Sequence, residues 1–480
     1  MHLPNGKNTA IDFRETAPLA AFSKMYLDTL GNFLPELSQR GWTSSGVPGT
    51  VAGLVYALNK YGTMRLRDVI QPAIDLAENG FILSEKMAHS INYYHEDFLK
   101  IESSRKIFTN GGKKFIEGDL FIQKDLANTL RLIRDGGEDN FYKGEIAVKF
   151  IDQSNRHGGF FTLKDLAGYE VVEREPLVGY YRGYEIISMP PPSSGGICLV
   201  EALNVLEKYP LSKEIHNSSS YIHLLAEVMK HVYADRSEHM GDPLFYNVPV
   251  DFLLSEKRTD EIINQIGPYA LSSDKIKPGV IPLHREKEET THFSVADESG
   301  NAVSTTYTIN GGYGNKIVVD GLGFLLNNEM DDFSAKPGTP NQFGLIGSAA
   351  NSIQPMKRML SSMTPTIILE GENPYMVIGS PGGSTIITSV LQSILNVIDF
   401  KMTINEAIAS PKIHHQWLPD RIEYEENTLS DTVLEELVSL GYNLKKVSSL
   451  GRLEGILIDK KTNLLRGSSD PRGFGKAAGW

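Results

Sequence analysis

Residues 290–310 read Thr290-Thr291-His292-Phe293-Ser294-Val295-Ala296-Asp297-Glu298-Ser299-Gly300-Asn301-Ala302-Val303-Ser304-Thr305-Thr306-Tyr307-Thr308-Ile309-Asn310. Two alternating segments flank the turn formers Asp297 to Asn301, which is the pattern of a β-hairpin. With the turn near Ser299-Gly300, residues whose numbers sum to about 599 face each other, and Thr308 falls beside Thr290 or Thr291. Threonine on a hairpin is first of all a strand residue. The position of Thr290 gives it a second reading. Ahead of it, residues 267–289 carry Gly267, Pro268, Pro278, Gly279, Pro282 and the run His284-Arg285-Glu286-Lys287-Glu288-Glu289, which predicts an exposed linker. Cutting the bond after Glu289 would make Thr290 an N-terminus. A free α-amino group, with an ordinary pKa of about 7.7–8.0, can take the hydroxyl proton of the same residue. The hydroxyl itself can make the cut, by attacking the Glu289 carbonyl and forming an ester that water releases. A second hydroxyl at Thr308 and the amide of Asn310 lie at the same end of the hairpin.

Working outward, the chain before the linker is mostly helical in pattern. Apolar residues recur at helical spacing over Arg65 to Ala77 and over Ser219 to His239, where Ile222, Leu225, Val228, Met229 and Val232 form the stripe. After the linker, strands and turns dominate. Two further hairpins are predicted, Pro365–Leu369 with Tyr375–Ile378 and Gly455–Ile458 with Leu464–Gly467, and an apolar helix over Thr385 to Ile398. The glycine loop Gly379-Ser380-Pro381-Gly382-Gly383-Ser384 joins a strand to that helix. Its backbone N–H groups suit an oxyanion or a phosphate, or simply turn the chain. Helices interleaved with hairpins imply layered α+β or α/β packing.

Other residues carry weaker signals. His414-His415 lack a third ligand at a telling spacing and read as structural. Asp331-Asp332 would form a dyad only if their side chains converged. Ser361-Ser362 read as a strand start or helix cap, and G-x-S-x-G is absent. The net charge of −12 argues against nucleic-acid or anionic-membrane partners, which want a basic face. The single cysteine, Cys198, excludes an internal disulfide and reads as a small buried hydrophobe. No apolar run is long enough to span a bilayer. Asn5-Gly6 followed by the alternating Thr9 to Arg14 reads as a hairpin entered midway, which predicts that the start of the chain, with any export signal, has been cut away.

These segments together resemble the γ-glutamyltranspeptidase (glutathione hydrolase) family. The resemblance rests on ordered motifs: Asp12-Phe13-Arg14-Glu15-Thr16-Ala17-Pro18, Pro48-Gly49-Thr50-Val51-Ala52-Gly53, Met189 to Gly196, Ala234-Asp235-Arg236-Ser237-Glu238, Thr290 to Val295, Leu326 to Phe333, Ser361-Ser362-Met363-Thr364-Pro365, Gly379 to Ser384 and Ser469-Asp470-Pro471-Arg472. It implies an N-terminal-nucleophile fold, a four-layer αββα sandwich of α+β class. The precursor would divide into a large-subunit portion, 1–289, and a small subunit, 290–480, that stay associated. It also implies a zymogen that cleaves itself between Glu289 and Thr290, with Thr290 as nucleophile, Thr308 bonding the new amine, and Gly382 and Gly383 as the oxyanion hole. Arg14, with Ser361 and Ser362, resembles the set that binds a substrate α-carboxylate. Asn310, Glu329 and Asp332 resemble the set that holds its α-amino group.

The partners implied are γ-glutamyl donors, glutathione among them, and amino acid or peptide acceptors, with no cofactor and no metal. The compartment implied is periplasmic or extracellular. The resemblance also leads one to expect a longer stretch ahead of Asp12 than the eleven residues present in this sequence. In the segment 335–344, similar to a lid loop, it has Phe343 where relatives often have tyrosine. That predicts a looser lid and easier water entry, with hydrolysis favoured less in a Phe343→Tyr variant. Two alternatives stand beside the main reading: a related acylase or poly-γ-glutamate amidase on the same fold, and an inactive binding remnant.

Overall fold

The computed structural model describes residues 1–276, 290–342, 344–426, 428–459, 462 and 464–479. Its centre is a six-stranded antiparallel sheet in the order Leu464–Ser469, Glu454–Asp459, Asn373–Gly379, Thr366–Glu370, Tyr184–Ser188, Leu177–Tyr181. Successive residues point to opposite faces, and along the central strands both faces are covered. Ile368, Met376 and Ile378 face a helical layer, where they join Ile197, Leu203, Ile222, Leu225, Ile386 and Ile394 in one core. Ile187, Ile367, Leu369 and Val377 point the other way and pack with Ala302. The helical layer contains Gly195–Leu206, Ser219–His239 and Thr385–Ile398, and the last is buried along its whole length. Its polar residues are buried with the apolar ones and are bonded inside, as Gln392 Nε2 is to Thr388 O and Ile413 O (both 2.8 Å).

The second sheet is the hairpin read from the sequence, Thr291–Ala296 paired with Ala302–Tyr307. Thr291 faces Tyr307 and Ala296 faces Ala302, so the register is within one residue of that expected. Asp297 closes the turn, accepting the N–H groups of Ser299 (3.0 Å) and Asn301 (2.9 Å), and Gly300 supplies the positive φ of 89°. At the hairpin's edge, Ala302 bridges His2, and His2 also bridges Asn8 across the predicted Asn5-Gly6 turn. The strand expected over Thr9 to Arg14 is limited to Ala10–Asp12, which pairs with Val172–Arg174 instead of extending the hairpin sheet. A cavity of about 580 Å³ separates the hairpin from the helix Thr50–Tyr61, with Val303 and Thr305 on one wall and Leu54 and Ala57 on the other. Helices, six-stranded sheet, hairpin and this helix give the αββα order, with a second sheet only two strands wide.

The predicted helices at 219–239 and 385–398 form over those ranges, and that at 65–77 runs from Leu66 to Asn79. The linker reading needs correction. Residues 267–276 are docked: the Ala270 N–H donates to Leu440 O (2.9 Å) and Ser273 Oγ to Trp417 O (2.7 Å), while Ile276 is buried. The buried indole of Trp417 needs an acceptor and finds it in Ser273 O at 2.9 Å. Composition alone cannot anticipate a polar segment being fixed by a distant tryptophan. Residues 277–289 lie outside the described residues.

The two sheets touch where His292 meets Gly379. A Cβ at position 379 would lie 2.2 Å from His292 Cε1, so only glycine allows this approach. We predict that Gly379→Ala costs about 1–3 kcal/mol through overpacking. Urea denaturation checks it, and an unchanged midpoint would contradict the contact.

Candidate active site

The hairpin register sets Thr290 across from Thr308. The Thr290 hydroxyl donates to Thr308 Oγ1 over a long 3.5 Å, and Thr308 Oγ1 accepts the Asn310 N–H at 2.8 Å. Asn310 leaves the strand with a positive φ of 71° and is clamped by Asn328, whose carbonyl accepts its Nδ2 at 2.9 Å. Asn328 Oδ1 accepts the Gly311 N–H at 2.8 Å as well. Glu289, the residue expected across the cleavage point, lies outside the described residues, as does Phe343 of the expected lid.

Arg14 is buried and carries three carboxyl groups. Its Nη2 donates to Asp332 Oδ2 at 2.5 Å, its Nη1 forms a close ion pair with Glu329, and Glu15 Oε2 lies 3.8 Å from Nη1. Burial opposes the arginine's charge, but Glu329, Asp332 and Glu15 hold its pKa above the usual range. One guanidinium does not hold three ionised carboxylates in a dry site. Burial accordingly pushes Glu329 well above the carboxylate range, Glu15 up to about 7, and Asp332 upward against the pull of Arg14. The groups read as carboxylate binder and ammonium binders are thus in direct contact with each other.

Ser361 and Ser362 sit on a segment buttressed by the Pro-Pro-Pro-Ser-Ser-Gly-Gly motif. Ser193 forms a parallel bridge with Ser361, Ser194 Oγ donates to Ser361 O (2.6 Å), and Ser193 Oγ donates to Met363 O (2.6 Å). Gly195 is needed there, because a Cβ would meet Met363 O at 2.4 Å. At the glycine loop, φ is 132° at Gly382 and 48° at Gly383, and Gly382 O accepts from both the N–H and the hydroxyl of Thr385. Neither the Gly382 nor the Gly383 N–H donates to another described residue.

One cavity is lined by Thr290, Thr308, Asn310, Arg14, Asp332, Ser361, Ser362 and Gly383. Glu329 is fully buried behind Arg14 and Asp332, which line the cavity, and Gly382 lines a second cleft. Arg236 lines the first cavity too, donating from Nε to Ser194 Oγ (2.9 Å) and from Nη2 to Ser362 Oγ (3.0 Å). The sequence reading quoted Arg236 in a motif and gave it no role. A signal was present: it continues the apolar series Leu225, Met229, Val232 at helical spacing, so a charge falls on the buried face.

The other candidates resolve as structural. Asp331 and Asp332 diverge, and Asp331 accepts from Ser38 Oγ (2.5 Å) and the Gln342 N–H (2.8 Å). His414 bonds Thr388 at 2.9 Å and His415 bonds Asp420 at 3.2 Å.

Comparison with known proteins bears on this cavity. The family model described as Gamma-glutamyltranspeptidase matches residues 1–480. The chain is 45% identical over 470 residues to the glutathione hydrolase proenzyme of Escherichia coli, covering 98% of this chain and 80% of that one. Among solved structures it is similar to a cephalosporin acylase from Bacillus halodurans, with TM-score 0.87, 26% identity, and coverage of 99% of this chain and 85% of that one. It is also similar to a chain of Helicobacter pylori γ-glutamyltranspeptidase, with TM-score 0.57, 48% identity, and coverage of 59% of this chain and 82% of that one.

The buried carboxyls make stability pH-dependent. Asp331 is pushed from 3.8 up to about 7 and Glu15 from 4.5 up to about 7, in both cases chiefly by burial. A raised folded-state pKa means that folding takes up protons. The contribution is complete below the unfolded pKa and is lost as pH rises through about 7. We expect stability to decline between pH 5 and 8, and Asp331→Asn to decline less steeply. Denaturation midpoints at the two pH values test this, and parallel slopes in parent and variant would refute it.

Proposed function

The chain belongs to the γ-glutamyltranspeptidase family and is an enzyme of that family, and on this premise we propose that Thr290 is the nucleophile of a self-processing glutathione hydrolase and γ-glutamyltransferase. The precursor opens between Glu289 and Thr290. The Thr290 hydroxyl attacks the Glu289 carbonyl, the peptide nitrogen leaves as the α-amine of Thr290, and water hydrolyses the ester. That the matched Helicobacter pylori chain covers about three fifths of this one, the share that residues 1–289 occupy, supports a division there.

In turnover, the Thr290 α-amine takes the hydroxyl proton and Oγ1 attacks the γ-carbonyl of the donor. The oxyanion is held by the N–H groups of Gly382 and Gly383, which donate to no other described residue. The proton passes to the leaving amine as the amide bond breaks, leaving a γ-glutamyl ester on Thr290. Water then gives glutamate, and the amine of an amino acid or short peptide gives a new γ-glutamyl amide. Thr308, bonded to the Asn310 N–H, orients the Thr290 end of the hairpin. Arg14, Ser361 and Ser362 hold the donor's α-carboxylate, and Asn310, Glu329 and Asp332 its α-ammonium. Anchoring that head fixes the γ-carbonyl against Thr290, which is catalysis by orientation.

What supports this reading most is one register: it sets Thr290 opposite Thr308 in the cavity that also holds Arg14 and Gly383. The acylase alternative is supported by likeness of fold. The carboxyl groups around Arg14 favour a substrate head with a free amino group, which a glutaryl amide lacks. The family's usual compartment makes the periplasm or the medium the proposed place of work, and among the described residues no helix is long and apolar enough to cross a membrane.

The first test is intact-mass spectrometry of the purified protein. We expect two fragments that meet between residues 289 and 290, and one uncut chain for Thr290→Ala. Turnover of a γ-glutamyl anilide should fall about 10⁴-fold or more in that variant. Cleavage elsewhere, or full activity without Thr290, would reject the assignment. Equal turnover of a glutaryl anilide by the parent would favour the acylase.

A further inference from the structure

Arg236 is a buried cation, 4% exposed, on the helix Ser219–His239. Among the described residues no carboxylate lies within ion-pair distance of it. A buried charge without a contacting counter-ion is costly: burial pulls its pKa below the usual value, and Asp332 opposes this only through space. What it does have is two hydroxyl oxygens, Ser194 Oγ at 2.9 Å from Nε and Ser362 Oγ at 3.0 Å from Nη2. A serine oxygen that accepts from a guanidinium must send its own proton elsewhere. Ser194 sends it to Ser361 O at 2.6 Å. The Ser362 hydroxyl donates to no other described residue, and Ser362 lines the cavity. Ser361 is held alike: its Oγ accepts the Met363 N–H at 3.1 Å, and it lines the same cavity.

Two hydroxyls are thus oriented as donors toward one space, and one of them is fixed by a cation that touches no carboxylate among the described residues and feels Asp332 only through space. Arg14, on the other hand, is already compensated by Asp332 and Glu329. That combination suits an anion. Resting on the γ-glutamyl reading above, we propose that Arg236 is a positioning residue: it fixes Ser362 as a donor and adds a positive charge, held by hydroxyls and not by a direct ion pair, by which the site selects donors bearing an α-carboxylate. Arg236 acts through Ser362 and does not touch the reacting atoms.

The test compares a γ-glutamyl anilide with the γ-aminobutyryl anilide, which keeps the amino group and lacks the carboxylate. Charge-assisted hydrogen bonds of this kind set the scale, so Arg236→Gln should raise KM for the γ-glutamyl anilide about 10- to 100-fold with little change in kcat. The other anilide should change by less than about threefold, and adding Arg236→Gln to Ser362→Ala should add equally little. Arg236→Lys keeps the charge without the fork, and should rescue part of the loss.

Equal losses on both anilides, or full additivity in the double variant, would overturn the proposal. So would a Ser362→Ala enzyme that keeps the parent's preference for the carboxylate, a result readable even if Arg236 variants do not fold. Failure of the γ-glutamyl reading looks different: the unaltered enzyme itself would turn over the two anilides equally.

Discussion

The contact of His292 with Gly379 ties the nucleophile's strand to the glycine loop. His292 is two residues beyond Thr290, and Gly379 is three before Gly382, so the spacing of the two sheets at this point also sets the distance between hydroxyl and loop. The imidazole is buried, with Thr306 Oγ1 2.8 Å from Nδ1 and Ser294 Oγ 3.1 Å from Nε2. Burial drives its pKa down to about 3, so it stays neutral at working pH and acts as a spacer of fixed shape. Thr306 belongs to the partner strand, so the same ring also fixes the register that sets Thr308 opposite Thr290. Sheet packing, register and site are therefore one constraint.

The rest of the cavity shows how much polarity a buried site carries. Arg14, Glu15, Glu329, Asp331 and Arg236 are all buried, against a general preference of charged groups for water. The arrangement is tolerable because the carboxyls share a guanidinium and hold protons, and because the serines at 193, 194, 361 and 362 provide oxygens and protons in sequence. Removing a single member leaves another unpaired, so these residues act as a network whose parts do not add.

The hairpin, its register and the 385–398 helix were legible because each depends on local pattern: turn residues, period two, or apolar residues recurring at helical spacing. The residues singled out by resemblance line one cavity, apart from Glu329 and Gly382, which flank it, and Glu289, which lies outside the described residues. What was not legible depends on tertiary partners. The docking of 267–276 hinges on Trp417, some 140 positions away. The short strand at Ala10–Asp12 pairs with Val172–Arg174, which no turn connects to it. The divergence of Asp331 from Asp332 follows from Ser38 and Gln342. Arg236 lies between these cases, since its place on an apolar stripe marks it as buried but does not say what it holds.

In the empty site Arg14 pairs with the carboxylates proposed to hold the substrate's ammonium, and this has a consequence for selectivity. A zwitterionic head can insert between them. Its carboxylate takes over Arg14 while its ammonium takes over Asp332 and Glu329, so one buried ion pair becomes two and the net charge of the site is unchanged. A head with a carboxylate alone captures Arg14 and leaves Asp332 and Glu329 without the guanidinium that paired them, an expensive outcome in a dry pocket. A head with an ammonium alone relieves the acids and strands Arg14, a buried guanidinium left without its carboxylates. Discrimination against both partial substrates therefore arises from what each leaves unpaired, and it needs no contact beyond those already made in the free protein.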